Sequence, residues 1–124
     1  MLTYETLRNY SMNNPPMEML GRAPNVQEKY DIFASTNQTR SSFISAMKEK
    51  LQYKPYHFVP NNFPYHTVPN IYHWVCWYNQ DKNPDEIIIE LKKKHGISIV
   101  TYWKNYSHNM SIREINHIHI FIKN

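Results

Sequence analysis

One cysteine, Cys76, is too few for an internal disulfide. That excludes the disulfide scaffolds of small secreted domains and fits a reducing compartment. Glycine is nearly absent, with two in 124 residues. No nucleotide fingerprint and no cysteine pair is present, so an enzymatic reading turns from redox chemistry toward hydrolysis or isomerisation. No apolar run approaches the roughly 18 to 20 residues of a membrane span, and the N-terminus has no signal-peptide core. The expectation is a soluble intracellular protein of the cytoplasm, or of the host cytoplasm if the source is viral. Clustered charge is also scarce. Fourteen Lys and Arg against ten Asp and Glu give +4, but the only basic run is Lys92-Lys93-Lys94. It falls in the last turn of an expected helix, where cations complement the macrodipole. A nucleic-acid footprint is usually a clustered patch, so nucleic acid is a disfavoured partner.

What the chain does have is 41% hydrophobic and 15% aromatic residues, enough for one globular core and too short for two. It is rich in Asn, Lys, Ile and Tyr, a bias toward AT-rich codons that carries no functional information. The pattern predicts a single α+β domain, 1–124. N-terminal helices over 1–52 pack on a small mixed sheet, covered on one side and formed mainly by the C-terminal half. Thr3 is placed to cap a short helix over 3–10. A second helix is expected over 26–35, burying Tyr30 and Phe33. A third follows with Thr39 as cap and Phe43, Ile44, Met47 and Leu51 at helical spacing. Residues 53–70 hold four prolines (Pro55, Pro60, Pro64, Pro69) and read as an extended loop pinned by its aromatics. The remainder, 71–124, reads strand-helix-strand-strand. Its strands are 71–78, 97–103 and 116–122. Its helix has Asn83 or Asp81 at the start, Pro84 near the first position and Gly96 as C-cap.

The last strand carries the strongest chemical signal. Asn116-His117-Ile118-His119-Ile120-Phe121-Ile122 alternates so that the isoleucines take one face and His117 and His119 the other. In 71–78, His73, Val75 and Trp77 share one face, while Tyr72, Trp74, Cys76 and Tyr78 share the opposite one. If the two histidine faces coincide, three imidazoles converge beside Trp77. Such a trio can ligate zinc, hold a phosphate or shuttle protons near neutral pH. No acidic residue lies close in sequence to complete a metal site, and Asp81 or Glu114 would have to be folded in, so no metal ligand is assigned. Phe121 stands where a histidine-triad hydrolase would place its third histidine, so that nucleophile arrangement is not reproduced. Trp74 and Trp77 point to opposite faces and cannot clamp one base. Trp103 or Tyr65 would have to supply a partner ring for Trp77. Cys76 faces away from the histidines and reads as a small core residue.

Several of these elements, taken in order, resemble a known family. Gly21-Arg22-Ala23-Pro24 and Tyr30 are followed by Phe63-Pro64-Tyr65, then His73-Trp74-Val75-Cys76-Trp77. Trp103-Lys104-Asn105 comes next, then Ser111-Ile112 ahead of His117-Ile118-His119-Ile120-Phe121. The series is similar to the N-acetylglucosamine-induced protein family, known from fungi with relatives in large DNA viruses and catalogued as a domain of unknown function. Tyr106-Ser107 departs from it where many relatives have prolines, and the 79–96 connection is short. The family name records induction by a sugar, not binding of one.

The residues point to a small-ligand site, for a phosphorylated or sugar-containing metabolite. His73, His117 and His119 are its expected acid and base groups. Arg22, Tyr65, Trp77, Asn105 and Ser111 are its expected binding residues, with Arg22 as anion clamp or as an ion pair tying the N-terminal helices to the sheet. No cofactor is specified. The alternative is a non-enzymatic interaction or structural protein whose exposed aromatics meet a protein partner, and a weaker alternative is nucleic-acid binding through the lysines and aromatics.

Overall fold

The computed structural model describes residues 1–18, 20–106 and 110–124; of the residues singled out above, Ser107 lies outside them. The chain runs α1 (Tyr4–Leu7), α2 (Pro24–Ser35), α3 (Asn37–Tyr53), β1 (Tyr56–Pro60), β2 (Ile71–Tyr78), α4 (Pro84–His95), β3 (Ser98–Trp103) and β4 (Asn116–Lys123). The strands form one sheet in the order β1-β2-β4-β3. The fold is α+β, with the helices mainly N-terminal and most of the sheet from the C-terminal half.

Three features differ from the expectation. Every described strand pair is antiparallel, so the sheet is not mixed. Part of the proline-rich loop is a strand: β1 pairs along β2 from Tyr56↔Tyr78 to Pro60↔Trp74. Proline lacks an N–H for the ladder, but at the end of an edge strand that donor is not needed. Third, both faces of the sheet are covered. Ile87, Ile88 and Leu91 of α4 bury against Cys76, Ile118, Ile120 and Ile122. On the other face, Ile44, Met47 and Leu51 of α3 pack on Val75 and Trp77. Leu7 of α1 joins Tyr65, Trp103 and Phe121 there. The rest of the 61–70 segment is pinned as expected, with the Leu2 N–H donating to His66 O and the Val68 N–H to Leu2 O.

Local signals account for the ends of the elements. The Thr3 side chain accepts from the Thr6 N–H, as its position predicts. Thr39 does not cap α3; the helix begins at Asn37, because Thr36 is extended and its hydroxyl donates to Ile32 O at the end of α2. Tyr30 and Phe33 are half-buried, not buried. In α4 the Asn83 side chain accepts from the Asp85 N–H, Pro84 opens the helix and Gly96 closes it at φ 60°. A Cβ at Gly96 would meet nothing within 4 Å. Replacement by Ala therefore carries only the left-handed backbone cost. Gly96→Ala is expected to lower stability by about 1 kcal/mol, read as a shift in urea midpoint at constant m-value.

Candidate functional site

Antiparallel register aligns the polar face in rows. His57, Trp77 and His117 face one another across β1, β2 and β4. Beside them, Val59, Val75, His119 and Trp103 cross all four strands, and His73 then pairs with Phe121. The two histidine faces do coincide. Residues diagonal across an antiparallel pair come within reach, and His73 Nε2 lies 2.8 Å from His119 Nδ1.

The far nitrogens of that pair are held by donors. The Tyr65 N–H donates to His73 Nδ1 at 3.0 Å. Asn105 is oriented by Trp103, whose indole N–H can only donate and reaches Asn105 Oδ1 at 2.8 Å. The Asn105 amide nitrogen is then the donor toward the Tyr65 hydroxyl at 3.2 Å and His119 Nε2 at 3.0 Å. With both outer nitrogens accepting, each neutral ring carries its hydrogen on the inner nitrogen. No neutral combination of tautomers satisfies all three contacts. The Asn61 amide nitrogen, 3.3 Å from His73 Nε2 and a donor because Asn61 Oδ1 accepts from the Phe63 N–H, adds a further donor, so the network is short of acceptors. A further proton on either ring would face a donor. That geometry and burial act in the same sense. Burial, with the Arg22 charge adding to it, lowers His73 to about 3. Burial, then the His73, His117 and Arg22 charges, holds His119 well below the usual imidazole range.

His117 is set differently. Its Nδ1 lies 3.0 Å from the Ile115 carbonyl, which can only accept, so Nδ1 carries the hydrogen and Nε2 keeps a lone pair. Its ring packs on Trp77 at 4.4 Å. Burial lowers its pKa, partly offset by the Ile115 bond and reinforced by Lys104.

A pocket of about 420 Å3 opens on this face. His117, His119, Trp77, Ser111 and Arg22 line it, with Phe33, Phe43, Met47 and Val75 as apolar wall. Phe43 meets Trp77 edge-on at 5.2 Å, so the partner ring for Trp77 comes from α3 and not from Trp103 or Tyr65. Trp103 packs instead against Phe121 and Tyr10.

Of the eight residues singled out from sequence, five line this pocket. His73, Tyr65 and Asn105 stand behind it and fix the His119 ring, while His73 and Tyr65 border a separate, more open cleft. Arg22 is largely committed. Its Nε donates to the Phe63 carbonyl at 2.7 Å, and the guanidinium lies 3.8 Å over Tyr30 and 4.8 Å over Tyr65. It thus ties α2 to the sheet side, through stacking rather than an ion pair.

The acids that could have completed a metal site are engaged elsewhere, Glu114 with Arg40 at 2.7 Å and Asp81 with Lys82 at 3.6 Å. Among the described residues, no group of three His, Cys, Asp or Glu side chains is placed to hold a metal ion. Cys76 is buried on the opposite face, and burial pushes its thiol up to about 12. Sequence reasoning missed His57, Lys50 and Asn61, which also line the pocket. The alternation of His57 with Val59 was a signal, masked by the flanking prolines.

No family model matches the chain, and no curated protein does. A solved crystal structure of a protein called HTC1 has a similar fold, at a TM-score of 0.52 and 17% identity, covering 85% of this chain and 76% of that one. No described helix is long and apolar enough to cross a membrane.

Proposed function

We propose that this is an intracellular small-molecule-binding protein. Its ligand, a phosphorylated or sugar-containing metabolite, lies against Trp77 with His117 as its fixed hydrogen-bond acceptor. One observation carries this reading. A 420 Å3 pocket of mixed aromatic and polar lining has two imidazoles in its wall, one with its tautomer fixed by a backbone carbonyl and the other clamped by buried partners. Pockets of this size with a few fixed polar groups are the usual form of small-ligand sites. In a catalytic version, His117 Nε2 would take a proton from a ligand hydroxyl. His73 would be a positioning residue acting through His119. Membership of the N-acetylglucosamine-induced protein family belongs to the same proposal. It is supported by the convergence of Arg22, Tyr30, Phe63, Tyr65, His73, Asn105 and His119, all carriers of the resemblance, in one contact network.

The test is a screen of sugar phosphates, nucleotides and neutral sugars by NMR, watching the three indole N–H signals. Ligands should move Trp77 and leave Trp74, on the opposite face, in place. Val59→Trp fills the pocket from a strand position that tolerates an aromatic ring, and should abolish those shifts in a folded protein. Ligands that move only Trp74, or that bind Val59→Trp equally well, would contradict the assignment.

A further inference from the structure

The charges around the pocket are one-sided. Arg22 and Lys50 line it as cations, with His57 beside Lys50, and none of its lining residues is a carboxylate. The pocket follows β1. His57 near the start of β1 and Asn61 just past its end both line it, four residues or about 13 Å apart along extended chain. At the Asn61 end, Asn61 accepts from the Phe63 N–H and Phe63 in turn accepts from Arg22, so the cation there is already employed. At the His57 end, Lys50 reaches the pocket from the last turn of α3. Among the described residues the salt bridges are Arg40–Glu114 and Lys82–Asp81, which leaves Lys50 without a carboxylate partner. The Lys54 and Lys50 charges act on His57, adding to burial in lowering its pKa. The mouth therefore has a positive field with no internal counter-charge. The floor between the two ends is apolar, made of Phe43, Met47, Val59, Val75, Trp77 and Ile112.

Building on the small-molecule reading above, we infer that the ligand is an organic anion. It has a flat or apolar body on the Phe43–Trp77 floor and a phosphate or carboxylate at the Lys50–His57 mouth. A neutral sugar would leave the Lys50 cation without a counter-charge and set a ring of hydroxyls on the apolar Phe43–Trp77 floor. A free inorganic anion has no apolar body to seat. A charge-assisted contact at a partly desolvated mouth supplies affinity and orientation together.

The probes are 1-naphthyl phosphate and its neutral counterpart 1-naphthol, titrated by calorimetry against the wild type, Lys50→Gln and Lys50→Glu. Lys50 is exposed, so both variants are expected to fold. Naphthyl phosphate should bind the wild type more tightly than naphthol does. It should lose about tenfold in affinity in Lys50→Glu and less in Lys50→Gln, while naphthol binding stays unchanged. Equal or tighter binding of naphthol would overturn the anion class and leave the pocket standing. Phosphate affinity indifferent to Lys50→Glu would overturn the placement at the mouth. If neither probe binds, the anion inference is wrong, and the broader metabolite screen decides the pocket on its own.

Discussion

Acidification from pH 7 to pH 5 should cost the protein about 2 kcal/mol of folding stability through His73 alone. The unfolded chain takes up that proton near pH 6.5, whereas the folded ring resists it down to about 3. Between those values acid binds the unfolded state preferentially, so stability falls as pH falls. The loss begins near pH 6.5 and continues toward 3. The pKa values of His119 and His117 are also lowered by burial and act in the same direction. The cause is visible in the hydrogen bonds. A charged His73 would turn an N–H toward the Tyr65 N–H, and a charged His119 would turn one toward the Asn105 amide. Urea denaturation at pH 7, 6 and 5 measures the effect. A flat profile would mean that these rings take up their protons at the same pH in the fold as in the unfolded chain, and the tautomer assignment would fail.

Asn105 should be the polar residue whose loss is felt most. It is buried and is the one group that contacts Trp103, Tyr65 and His119 together. Asn105→Leu strands the Trp103 indole N–H in a dry core and removes the donor from the Tyr65 hydroxyl. A buried unsatisfied group costs about 1 to 3 kcal/mol, so a total of about 3 kcal/mol is expected. Asn105→Asp separates this account from simple packing. A carboxylate accepts from Trp103 and from a His119 Nε2–H, which lets His119 Nδ1 accept from His73 Nε2. That substitution supplies an acceptor the network lacks, at the cost of burying a charge. His119 should then titrate at higher pH than in the wild type, as read by imidazole NMR. If the Asn105→Asp and Asn105→Leu variants are equally unstable and His119 does not move, Asn105 serves packing alone.

Much of this was legible in the chain because alternation and capping are local. The period-two pattern of 116–122 assigned the isoleucines to one face and His117 and His119 to the other, and the structure packs α4 on the isoleucine face. Asn83, Pro84 and Gly96 likewise marked α4 from both ends. What sequence could not supply was distance. Lys50 drew no notice in the sequence, and only the packing of α3 over β1 brings it to the pocket. His57 was hidden because Pro55 and Pro60 flank a strand that survives by being at the sheet edge. Arg22 has the chemistry of an anion clamp, yet the Phe63 carbonyl and two tyrosine rings claim it. The order of strands decided the rest. His73 sits one row beyond the pocket, so the trio divides into two rings that line the pocket and one that holds its neighbour.

The most direct measurement is a crystal structure with the tightest ligand from the metabolite screen. The expected result is a molecule seated on Trp77 and Phe43, accepting or charge-pairing at Lys50 and donating to His117 Nε2, with His117 Nδ1 still bonded to the Ile115 carbonyl. A ligand bound elsewhere, for example on the Phe58 and Trp74 side of the sheet, or a flipped His117 with Nε2 turned from the pocket, would contradict the account.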